Sequence, residues 1–73
     1  MEEITFEIKK HIGVLSTDSI GWTKEVNLVG WNGSPERLDI RLWDSSHKRM
    51  SRGMSFSEDE AKALAKLLTE EYK

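Results

Sequence analysis

Cysteine is absent from this 73-residue chain. That excludes a disulfide framework and a thiolate metal site. Histidine occurs only as His11 and His47, with no HxxxH or carboxylate–histidine spacing, so neither metal nor cofactor is expected. No apolar run reaches the roughly 18 residues that would suggest a transmembrane helix. No glycine-rich loop joins a strand to a helix, which removes a nucleotide-phosphate cradle. There is no internal repeat, and residues 1–73 read as a single domain. The opening "MEEITFEIKK" is acidic and alternating, unlike a secretory leader. A cytoplasmic location, with nucleoid association open, is the expectation, with no membrane partner.

Chains below about 70–80 residues rarely build a sufficient core alone. With disulfides and cysteine-bound zinc excluded, self-association is the remaining common support. A homodimer is therefore expected.

The formal net charge is −2, but the sign is unevenly placed. Residues 1–21 and 57–73 are acidic. Between them, Lys24, Arg37, Arg41, Lys48, Arg49 and Arg52 outnumber Glu25, Glu36, Asp39 and Asp44. The same segment holds all three tryptophans, Trp22, Trp31 and Trp43. Only this middle resembles a surface for an anionic partner.

"ITFEIKKHIGVLS" alternates as a strand and falters near Lys10–Gly13, where a bulge is expected. "WTKEVNLVGW" is a second strand. "NGSPE" is a turn of about five residues leading to "RLDIRLW", the clearest alternating strand. "GMSF" is a short fourth strand. "SEDEAKALAKLLTEEYK" is a helix, with Ser57 and Glu60 as a capping box and three acids in its first turn. Its apolar stripe, Ala61, Leu64, Ala65, Leu68 and Tyr72, is widened by Ala63 and Leu67. That width suits a second protomer, with Ala63, Leu64, Leu67 and Leu68 at the dimer interface. The expected fold class is α+β: a four-stranded curved antiparallel sheet followed by one C-terminal helix, β-β-β-β-α.

Parity places Ile4, Phe6, Ile8, Val26, Leu28, Leu38, Ile40, Leu42, Met54 and Phe56 inward. It places Trp31 and Trp43, with Arg37 and Arg41, on the face that the helix leaves uncovered. Aromatics beside arginine suit stacking on flat ligands, and nucleic-acid bases stack without regard to sequence. Trp22 has the parity of the core face, so it is either a platform at a twisted strand end or a lid. Lys24 could reach a phosphate. Lys48, Arg49 and Arg52 sit in a polar loop, read as mobile cations lining a backbone path. Asn27 and Asn32 would add adaptable hydrogen bonds. "DSSH" (Asp44 to His47) holds the residue types of a hydrolytic triad. Four neighbours in one loop do not make its geometry, so they read as a solvated turn and no enzyme is expected.

Three segments carry a family resemblance: "GWTKEVNLVGWN", "PERLDIRLW" and "MSRGMSFSEDE". Together they resemble the positive cofactor four family of single-stranded-DNA-binding transcriptional coactivators, in its small bacterial YdbC-like branch. The resemblance implies a homodimer with C-terminal helices packed between protomers, binding single-stranded DNA with little sequence preference. It implies base stacking at Trp31 and Trp43 and a backbone contact from Arg41. Eukaryotic members carry a serine-rich basic N-terminal tail. This sequence opens on its first strand, so no tail-borne role is expected. The reading is a single-stranded DNA-binding protein, with RNA as a further partner left open. A protein-interaction module using the aromatic face is the alternative.

Overall fold

A computed structural model describes residues 4–73. Glu2 and Glu3, counted above in the acidic N-terminal segment, lie outside the described residues. Four strands, β1 (Phe6–Thr17), β2 (Thr23–Trp31), β3 (Arg37–Trp43) and β4 (Met54–Phe56), form one antiparallel sheet in chain order. One helix, α1 (Glu58–Glu71), follows. The expected β-β-β-β-α order is the observed one.

Local signals account for the connections. Asn32 and Gly33 have φ of 50° and 76°, and the Ser34 N–H donates to the Trp31 carbonyl at 2.8 Å. This is the tight turn that Asn-Gly favours, because both central residues must enter the left-handed region. Asp18 organises the β1–β2 turn, its carboxylate accepting from the backbone N–H groups of Ile20 and Trp22. Ser57 caps α1, and the reciprocal Ser57–Glu60 capping box is present. The Ser57 backbone N–H and hydroxyl hold the Glu60 carboxyl below its ordinary pKa, helped by the Arg37 charge.

The register of β1 corrects the expected core. Directly paired residues share a face. Phe6 pairs with Trp31 and Ile8 with Val29, so both sit on the tryptophan face and not with Val26 and Leu28. Beyond Ile8 the strand is bulged between Ile8 and Lys10, between His11 and Gly13, and between Val14 and Ser16. Each extra residue resets the alternation and bends the strand. One bulge was expected near Lys10–Gly13; three are present.

The two faces are covered differently. Among the described residues, Val29 and Trp43 are the buried hydrophobic ones, and Glu25, Asn27 and Asp39 are buried beside them, all on one face. On the other face Val26, Leu28, Leu38, Ile40 and Leu42 are only half-buried. No residue of α1 is buried, because the helix packs on the sheet only near β3 and β4. Between helix and sheet lies an apolar groove of about 740 Å³, lined by Ile12, Leu15, Val26, Leu28, Leu64 and Leu68 among others.

Candidate nucleic-acid interface

Trp31 ends β2, and the register brings Phe6 beside it at 5.9 Å between ring centroids, tilted by 50°. The Arg41 guanidinium lies over its ring, 4.5 Å from the centroid. Arg41 is held there by Asp39, two residues back on the same face of β3. Its Nε donates to Oδ1 at 2.6 Å and its Nη2 to Oδ2 at 2.7 Å. Ser55, opposite Asp39 on β4, donates its hydroxyl to Oδ2 at 2.8 Å. Asp39 is fully buried and the Arg41 side chain is 13% exposed. Trp31, Arg41, Met50, Arg52 and Ser55 line an open groove of about 510 Å³. The Arg41 guanidinium is therefore already paired with a buried carboxylate.

Trp43 is also corrected. It lies on the expected face but is completely buried. Phe6 packs on it at 5.1 Å and His47 at 5.7 Å, and its backbone bridges to Met50. β1 and the loop after β3 together close over the indole. No surface remains on which a base could stack.

Asn27 is corrected for the same reason. It is fully buried in a polar network that alternation alone could not reveal. The His11 Nδ1–H donates to Asn27 Oδ1 at 2.7 Å, and Asn27 Nδ2 donates to Glu25 Oε1 at 3.2 Å. His47 Nε2 donates to Glu25 Oε2 at 2.9 Å, and the Thr23 hydroxyl donates to the same oxygen. Burial pushes the Glu25 carboxyl up, but the hydrogen bonds from Thr23, Asn27 and His47, with the His47 charge, outweigh it. The net effect is a lowered pKa. The two histidines, far apart in sequence, thus meet one buried carboxylate.

The basic loop, residues 44–53, is organised from within. Asp44 Oδ1 accepts from the Lys48 and Arg49 backbone N–H groups at 3.0 and 3.1 Å, and Oδ2 accepts from Ser46. The Arg49 backbone N–H is the largest influence holding the Asp44 carboxyl below its ordinary pKa. His47 has φ of 59° and anchors the loop tip to Glu25. The loop is therefore tied to the sheet, not a mobile solvated turn, while Lys48, Arg49 and Arg52 remain exposed on it.

The remaining expected residues scatter more widely. Lys24 is exposed and lines a small groove with Arg52. Trp22 is half-buried at the entry to β2. The Asn32 side chain accepts from the Thr5 backbone N–H at 2.9 Å, which ties the turn to the start of β1. Its carbonyl is thus committed to the fold. Arg37 is exposed but leans toward the helix N-terminus, where its charge acts on Glu60. On α1, Ala63, Leu67 and Leu68 are exposed and Leu64 is half-buried, with Leu67 63% exposed.

Comparison with known proteins decides the family. Residues 19–67, more than half the chain, match the family model of Transcriptional Coactivator p15 (PC4). The chain belongs to this family. It is also similar to an uncharacterized protein of Treponema pallidum (strain Nichols), at 36% identity over 67 residues, covering 92% of this chain and 79% of that protein. The PC4 family is one of single-stranded DNA binding and transcription-associated roles. The match spans β2, β3, β4 and most of α1, and so includes Trp31, Arg41, Asp39 and the basic loop. No helix among the described residues is long and apolar enough to cross a membrane.

Proposed function

We propose that this PC4-family chain binds single-stranded DNA non-enzymatically, as a homodimer and with little sequence preference. The observation that carries this reading is the open groove in which Trp31, backed by Arg41, meets the exposed Arg52. An aromatic beside cations serves single strands because any base offers a face to stack on, while the backbone offers a charge at every step. Trp31 is the stacking residue. Arg52, Lys48 and Arg49 hold phosphates, with Lys24 extending the basic track. Asp44 and Glu25 fix the loop so that these cations are presented at low entropic cost.

A second copy of the chain supplies the missing half of the core. The groove of about 740 Å³ between sheet and helix leaves Val26, Leu28, Leu38 and Ile40 only half-buried, and Leu67 points into solvent. A partner helix presenting Leu64, Leu67 and Leu68 would remove this apolar surface from water.

The test is a fluorescence-anisotropy titration of labelled oligo-dT across a salt series, with duplex DNA and RNA of matched length as competitors. The expected result is tight binding to oligo-dT that weakens steeply with salt, because counterions are released. Failure to bind oligo-dT at low salt refutes the reading. Binding insensitive to salt would favour the protein-interaction module.

A further inference from the structure

Asp39 is fully buried, yet it faces the proposed binding groove through two neighbours, Arg41 and Ser55. Both of its oxygens are engaged by Arg41, at 2.6 and 2.7 Å, and Ser55 fixes one of them from β4. Three further features press Arg41 into place. Its Nη1 reaches the Ser51 carbonyl at 3.4 Å. Its guanidinium lies 4.5 Å from the Trp31 centroid. At Gly53 a Cβ would clash with the Arg41 Cβ and come within 2.9 Å of Nε, so the chain before β4 closes on it from the side.

Two consequences follow from the chemistry. A guanidinium doubly bonded to a buried carboxylate is neutralised, so it releases few counterions from a bound strand. A flat guanidinium fixed against an indole orients that ring, which a flexible ammonium cannot do. We infer that Asp39 is a positioning residue for single-strand binding. With Ser55, it holds Arg41 as a rigid backing for Trp31, and Arg41 itself serves as that backing and not as a phosphate contact. The inference rests on the proposed single-strand binding and deepens it.

Arg41→Lys separates the alternatives, since it keeps the charge beside Asp39 and loses the planar fork. If Arg41 backs Trp31, affinity for oligo-dT should fall about tenfold, near the low end of what one stacked base contributes. The log–log salt slope should not change. Ser55→Ala leaves every charge in place and should give a smaller loss in the same direction, again at unchanged slope. Arg52→Ala is the positive control for a phosphate contact and should flatten the slope by about 0.7. Melting curves confirm that each variant is folded at the assay temperature. If Arg41→Lys binds within twofold of the parent, the inference is wrong. It is equally wrong if Arg41→Ala flattens the slope as Arg52→Ala does. A parent that fails to bind oligo-dT refutes the single-strand reading itself, which distinguishes that failure from this one.

Discussion

Trp43 offers a sharp test of how the aromatic face is divided between fold and ligand. The indole is wholly buried between Phe6 and His47. A tryptophan buries about 150–250 Å². At about 25 cal/mol per Å², that area corresponds to roughly 4–6 kcal/mol as an upper bound. Truncation of buried tryptophans to alanine costs about 3–5 kcal/mol. A small domain has about 0.05–0.15 kcal/mol of stability per residue, or roughly 4–11 kcal/mol here. Trp43→Ala should therefore remove a large part of the stability. The indole Nε1 complicates this in an informative way, because it is buried with no hydrogen-bond partner among the described residues. An unpaired buried donor costs about 1–3 kcal/mol. Trp43→Phe removes that donor and keeps an aromatic ring in the site, so it should cost less than Trp43→Ala. Urea denaturation followed by circular dichroism, at one fixed protein concentration, measures both variants. The concentration must be held because the proposed dimerisation would contribute to apparent stability. If Trp43→Ala leaves the urea midpoint within error of the parent but abolishes oligo-dT binding, Trp43 is a platform and the packing argument is refuted.

Leu67→Glu should convert the dimer to monomer or unfold it, by placing a charge in a desolvated contact; sedimentation at micromolar concentration reads this, and an 8.4 kDa parent would refute the dimer. Gly53→Ala should destabilise the chain by about 1–3 kcal/mol, since its Cβ would come within 2.5 Å of the Ile40 carbonyl oxygen as well as against Arg41, and thermal melting would show it. Glu25 should confer acid sensitivity. Its folded pKa lies below its ordinary value of 4.5, so its contribution is complete above that pH and is lost as pH falls through the lower folded value. Glu25→Gln should flatten the stability–pH curve in that acid window, as measured by urea midpoints at successive pH values, and an unchanged curve would remove Glu25 from the account.

What the chain determined by itself is local. The helix and its Ser57–Glu60 cap, the Asn32–Gly33 turn, and the strands β2 and β3 follow from contacts within a few residues, so propensity and alternation suffice to find them. Alternation also ranks residues within one strand, which puts Arg41 with Trp43 on one face of β3 and Val29 with Trp31 on one face of β2. Tertiary structure decided the rest, because parity carries no phase from one strand to the next. The register set Phe6 against Trp31, and three bulges reset the side-chain order of β1. Burial then depended on which segment came to lie over each residue. β1 and the loop bearing His47 close over Trp43, while Trp31, on the same face, keeps part of its ring open to the groove. The pairing of Asp39 with Arg41, two apart on one strand face, was within reach of the sequence. Only the burial of Asp39 turns that pair from a surface contact into a fixed, neutralised support. Glu25, His11 and His47 are 14 to 36 residues apart in sequence, from their positions at 11, 25 and 47, and only the folded sheet brings them together.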